Sequence, residues 1–274
     1  MNPAAAPTRW TTLVARVLAP NPGPMTLDGT NSLIVGESDS RAVVVVDPGP
    51  ADDAHLEELI RAAPAVELIL LTHHHSDHVE AAPPLAQQTG ASVRAFDPRL
   101  CINGAPLTHG ERIETTGIVI DVVATPGHTS DSVSFHLPGD SLPGAERSTG
   151  SMITGDTILG RGTTTIAHPD GSLGAYLHSL EQLAKFGAIP VLPAHGAMLP
   201  DLTAVCTQYL LHRHERLDQV RRALRELDRE PSGDPALVSI VADVVYPNID
   251  PAVRFAAEAS TRAQLEYLAQ HPLT

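Results

Sequence analysis

Residues 68–80 read LILLTHHHSDHVE. An apolar run, Leu68 to Leu71, ends at Thr72, and four histidines and an aspartate fill positions 73–78 around Ser76. A histidine-rich solvated loop needs no strand-like segment directly before it, and an expression tag does not sit in mid-chain. A metal site accounts for both features. His73 and His75 stand two apart, so they share a side if the extended backbone continues past Thr72, and His74 then points away. Asp77 and His78 reach a second point as the chain turns into a helix. One ion cannot comfortably use all four side chains, whereas two neighbouring ions can.

A two-ion site needs further donors, each at a strand end followed by a turn. Three stretches qualify: ATPGHTSDS with His128, ITGDTIL with Asp156, and LPAHG with His195. Imidazoles and carboxylates at such places are the donors from which zinc sites are built. A carboxylate has two oxygens and can bridge two ions.

Around these points the chain alternates strands and helices. Early strands are read at 10–18 and 32–36, and AVVVVDPG (42–49) is a buried strand ending at Asp47. DDAHLEELIRAA (52–63) has helical spacing, VELILLT (66–72) is the next strand, and DHVEAAPPLAQQTG is a helix interrupted by proline. SVRAF, IVIDVVAT, SVSFHL and GSMITGDTIL continue the strand series, and LPGDSLPGAERSTG (137–150) reads as a turn-rich surface loop. A helix over 172–187 carries Ser172 as N-cap, and AIPVLPAHG is a last short strand. Beyond about residue 200 only helical patterns remain, two of them opening with Asp-Pro. The boundary is placed near 202, giving a catalytic domain over 1–202 and a small helical module over 203–274.

Together, THHHSDH, PGHT, TGD and PAHG, preceded by VVVVDPG, resemble the metallo-β-lactamase superfamily. The resemblance covers roughly residues 12–200 and implies a four-layer αββα sandwich. It implies that His73, His75 and His128 hold one ion and that Asp77, His78 and His195 hold the other. Asp156 would bridge them, Asp47 would orient the histidine loop from behind, and Thr30 and Asn31 would line the mouth of the site as substrate contacts. NPGPMTLDGTNSLIVG and HRHER followed by VVYPNIDPAVRFAAEAS are similar to the beta-lactamase-like protein 2 group, whose C-terminal module is winged-helix-like and whose animal members are endoribonucleases on single-stranded RNA. Where family members often carry Gly-Gly after the first motif, this chain has Ala81-Ala82.

The chemistry implied is hydrolysis. Two divalent ions, zinc by first choice with manganese or iron as alternatives, would lower the pKa of a shared water and supply a hydroxide. Asp77 is the side chain expected to ligate one ion and orient that hydroxide. No Gly-x-Ser-x-Gly nucleophile is present. The substrate is expected to be a small ester, thioester or lactone, with single-stranded RNA as the rival. A formal charge of -14 speaks against a general nucleic-acid binder. The six arginines of 212–229 are interleaved with four acids and read as a solvated helix face with intrahelical ion pairs, with a phosphate-facing strip as the alternative. Two cysteines make no disulfide framework, no apolar stretch reaches membrane-spanning length, and the N-terminal stretch lacks the apolar core of a signal peptide, so the expected setting is the cytoplasm without a membrane partner.

Overall fold

A computed structural model describes residues 7–38, 40–63 and 65–271. The first sheet runs β1 (Thr8–Arg9), β2 (Val14–Leu18), β3 (Asn31–Val35), β4 (Val43–Val46), β5 (Val66–Leu70) and β6 (Ser92–Arg94), neighbours in sequence order. The second is ordered β11 (Val191–Pro193), β10 (Ser151–Gly155), β9 (Val133–Leu137), β8 (Ile118–Ala124) and β7 (Arg112–Thr115). β4, β5 and β6 pair in parallel, as do β10 and β11; the other pairings are antiparallel.

Side-chain alternation explains why these runs read as continuously apolar. Val44, Val46, Leu68 and Leu70 point between the sheets, where they meet Ile120, Val122, Phe135 and Ile153. Their neighbours Val45, Ile69 and Leu71 point outward against α1 (Asp53–Ala62) and α3 (Ala82–Thr89). On the far side, Val123, Met152 and Val191 meet α4 (Leu173–Leu183), α5 (Leu202–Leu227), α6 (Pro235–Val245) and α7 (Arg254–Gln270). A sheet buried on both faces needs apolar residues at consecutive positions. The result is the expected αββα order of layers.

The helices begin where the chain supplies a cap. Asp52, Ser172, Asp201 and Asp234 each accept a backbone N–H from the first turn of α1, α4, α5 and α6. The proline-interrupted helix divides into α2 (Ser76–Val79) and α3, and Ala81 and Ala82 are both buried where they join. From residue 202 to 271 every element is a helix, and no strand of a wing occurs among the described residues there. Among the described residues no helix is long and apolar enough to cross a membrane.

Sequence pattern missed β7 and misplaced part of 137–150. Arg112 and Glu114 make β7 too polar to read as a strand, because it is the sheet edge and pairs on one side only. Asp140, in the supposed surface loop, is fully buried. Its carboxylate accepts from Leu13 N (2.9 Å), Thr12 Oγ1 (3.0 Å), Ser141 N (2.9 Å) and Ser151 Oγ (2.5 Å), tying the start of β2 to the start of β10. Removing that acceptor strands buried donors, each worth about 1–3 kcal/mol. Asp140→Ala is therefore expected to lower unfolding free energy by roughly 2–4 kcal/mol, measured as a urea midpoint; an unshifted midpoint would show that water replaces the carboxylate.

Candidate metal centre

The donors gather where strands end. β4 delivers Asp47, β5 delivers Thr72 to His78, and the turns after β8, β10 and β11 deliver His128, Asp156 and His195. Backbone bonds sew the two sheets together at the same end. Thr72 O accepts from Val133 N at 2.8 Å, Asn31 N donates to Ala194 O at 2.7 Å, and Thr30 forms a bridge with His195.

Two groups of donors result. His73, His75, His128 and Asp156 offer ligand atoms within 4.8 Å of one another, and so do Asp77, His78 and His195. In the first group, His73 Nε2 and His128 Nε2 face His75 Nδ1 at 2.9 and 3.1 Å. In the second, His195 Nε2 lies 3.2 Å from Asp77 Oδ2, and His78 Nε2 lies 3.5 Å from it. Asp156 stands between: Oδ2 is 3.7 Å from His128, while Oδ1 is 3.3 Å from His195 and 3.7 Å from His78. His74 turns away and meets Asp131 Oδ1 at 2.8 Å.

The donors fit divalent cations on the chemistry present. His78 Nε2 and Asp156 Oδ1 are buried with no hydrogen-bond partner, a costly state unless a cation takes their lone pairs. Four imidazoles have the other ring nitrogen occupied by an acceptor. His128 Nδ1 faces Thr165 O at 2.6 Å and His195 Nδ1 faces Gly29 O at 3.2 Å. A carbonyl only accepts, so both Nδ1 atoms carry hydrogen and both Nε2 lone pairs face the centre. Asp47 does the same for the other two. Its Oδ2 accepts from His78 Nδ1 at 2.8 Å and from Thr72 Oγ1 at 2.6 Å, and that hydroxyl in turn accepts from His73 Nδ1 at 3.0 Å. Its Oδ1 takes Thr72 N at 2.8 Å. Behind Thr72 sits Gly155, where a Cβ would fall 2.6 Å from Thr72 Oγ1, so the residue before Asp156 must be glycine.

Electrostatics divides the centre. Burial, helped by the neighbouring imidazoles, pushes His75 down to about 4 and holds His73 well below its ordinary value. Burial also lowers His128, against the pull of Asp156. These three are neutral lone-pair donors. Burial opposes charge on His78 and His195 as well, yet carboxylates outweigh it: Asp47 and Asp156 raise His78, and Asp156 with Asp77 pushes His195 up to about 11. Burial works to raise Asp77, but the hydrogen bond from His195 and the charge of His78 bring it down to about 2.

Thr30 and Asn31 lie under the centre, not at its mouth. Both are buried; Thr30 Oγ1 donates to Asp77 Oδ2 at 3.2 Å, and the Asn31 amide donates to Pro193 O and Gly196 O, each at 2.9 Å. They position the second donor group. Thr72, Gly29 and Thr165 are contributors that sequence reading missed: Thr72 adjoins a motif already full of donors, and the other two act through backbone carbonyls, which carry no signature.

The family model described as the metallo-beta-lactamase superfamily matches residues 25–195. The lactamase-like protein vrtG of Penicillium aethiopicum is 33% identical over 82% of this chain and 70% of its own length. The atrochrysone carboxyl ACP thioesterase nsrC of Aspergillus novofumigatus is 32% identical over 89% of this chain and 74% of its own. In fold, the chain is similar to a beta-lactamase domain protein from Burkholderia ambifaria, with a TM-score of 0.79 at 19% identity, covering 98% of this chain and 89% of that one.

Asp47→Ala is expected to weaken divalent-ion affinity about 10–100-fold, read by chelator competition; unchanged affinity would mean the Nδ1 restraints are dispensable. The metal-free protein is expected to show a two-sided stability profile. From about pH 6.5 down to about 4 the unfolded chain takes up protons that His73, His75 and His128 refuse, so stability falls. From about 6.5 up to about 11 the unfolded chain has already lost the proton that folded His195 keeps, so stability falls again. Urea midpoints across that range test both limbs, and His195→Gln should flatten the alkaline one.

Proposed function

The chain belongs to the metallo-beta-lactamase superfamily and is a hydrolase of it, and from that premise we propose that it is a dinuclear zinc enzyme whose substrate is a thioester, within the wider class of esters and lactones. The observation that carries the proposal is Asp156, which turns one oxygen to each donor group. The thioesterase named among the relatives directs the choice within the ester class.

In this reading His73, His75 and His128 would hold one ion, Asp77, His78 and His195 the other, and Asp156 would bridge. Two such ions, when bound, lower the pKa of a water they share and polarise a carbonyl oxygen. The chain's own residues do the rest. Asp77 is half-buried, stays ionised at neutral pH, and is fixed by Thr30 and His195. As a carboxylate it would orient the attacking water by accepting a hydrogen bond from it, the released proton passing to solvent. His78 and His195 keep that carboxylate in place through Asp47 and the Gly29 carbonyl. A thiol leaving group has a pKa of about 8.5 and departs as thiolate without a proton from the protein. No side-chain general acid is then required, which fits thioesters better than amides. The proposed setting is a reducing cytoplasm, consistent with the free thiols Cys101 and Cys206.

The test is thiol release from N-acetylcysteamine thioesters by zinc-loaded protein, with esters, lactones and an end-labelled single-stranded RNA run beside them. Thioester turnover is expected, falling about 100-fold or more in Asp77→Ala prepared with full metal occupancy. RNA cleavage that weakens steeply with salt, with every ester-like substrate left intact, would overturn the proposal in favour of an endoribonuclease.

A further inference from the structure

A cavity of about 270 Å³ lies between the C-terminal helices and the loops of the metal centre. Its wall includes Met25 from the β2–β3 loop, Thr164 from the loop after β10, Arg213 and Arg216 from α5, and Tyr246 and Ala257 beyond it. It meets the centre from behind His128, through the loop that holds that ring. Thr164 Oγ1 touches His128 Nδ1 at 3.2 Å, and Arg213 Nη2 donates to the Thr164 carbonyl.

The two arginines are unusual for this chain. Its formal charge is -14, so acids to pair with are plentiful. Yet among the described residues neither Arg213 nor Arg216 forms an ion pair, and no acid lines the cavity. Arg213 is 3% exposed, and its Nε has no hydrogen-bond partner. Its guanidinium meets the Thr164 carbonyl and Tyr176, whose ring centre is 5.1 Å away, and no carboxylate. Arg216 lies over Tyr246 at 4.8 Å and donates to Gln219 Oε1 and Val245 O. A guanidinium carries five donors, and burying one without an anion is costly. Holding the loop in place needs one hydrogen bond and no charge. Arg213 and Arg216 stand three apart, so both face the same side of α5.

We propose that this cavity is an oxyanion subsite, in which Arg213 and Arg216 receive an anionic oxygen group at one end of the substrate while the scissile carbonyl sits at the metal centre. The assignment rests on the hydrolase reading above and names its substrate class: a thioester that is itself an anion. Two parts of such a molecule could supply the group, a carboxylate on the acyl portion or a phosphate on the carrier thiol. Met25 and Tyr246 add an apolar part to the wall of the cavity.

The test separates binding from turnover. Metal-loaded protein is titrated calorimetrically with inorganic phosphate and with glutarate. The parent should bind at least one of them, and Arg213→Met and Arg216→Met should each weaken that binding about tenfold or more, with Arg213→Lys restoring part of it. If Arg213→Met does not fold, half-buried Arg216 carries the test. Three thioesters are then compared by kcat/KM: a neutral acyl N-acetylcysteamine, its carboxyl-terminated analogue, and a neutral acyl coenzyme A. Preference for the second that collapses in Arg216→Met assigns the acyl carboxylate; preference for the third that collapses assigns the phosphate. Arginine-dependent anion binding with every thioester inert would leave the subsite standing and sink the thioesterase reading. Thioester turnover with no anion bound, or with binding and preferences untouched in both methionine variants, would overturn the subsite and leave the thioesterase reading intact.

Discussion

The centre depends on one buried carboxylate. Asp47 sits 2% exposed at the end of β4 and accepts three hydrogen bonds, two from Thr72 and one from His78. Through them it fixes where β5 ends, how the histidine loop leaves it, and which nitrogen of His73 and of His78 carries hydrogen. One group thereby orients an imidazole in each half. Its backbone has a φ of 49°, a region that aspartate tolerates better than most residues. The turn needs both that backbone and that side chain.

A second consequence of the carboxylates is that the halves have opposite proton demands. The half without Asp77 consists of three imidazoles driven neutral by burial and by one another. The other half has two imidazoles held between carboxylates, which favour their charged forms. Asp156 reaches both and is held well below its ordinary value by His195 and His78, against burial. The field at the second half therefore calls for positive charge, which either protons or a cation can supply.

The layers were legible because a sheet buried on both faces writes long apolar runs, and VVVV and LILL are such runs. The donors were legible because each follows a run and a turn. Edge strand β7 was not, since one-sided pairing leaves charged residues at positions 112 and 114. Buried Asp140 was hidden among turn residues whose composition reads as surface. Thr30 and Asn31 were associated with the site but given the wrong depth, because family position says nothing of burial. Arg213 and Arg216 were read as part of a charged helix face; local spacing to acids suggested ion pairs, and only packing against Tyr176 and Tyr246 separates these two from the exposed arginines of the same helix.

Two of the imidazoles, His128 and His195, are oriented by main-chain carbonyls, those of Thr165 and Gly29. No exchange of a side chain deletes a carbonyl. Position 165 is thus free to drift as long as the loop keeps its path. Position 29 is not, because its φ of 130° and the Ala19 carbonyl, 2.2 Å from where a Cβ would lie, leave room for glycine alone. In a lineage, the orientation of these two rings is inherited as the course of the chain, and substitutions record its loss only when they bend that course.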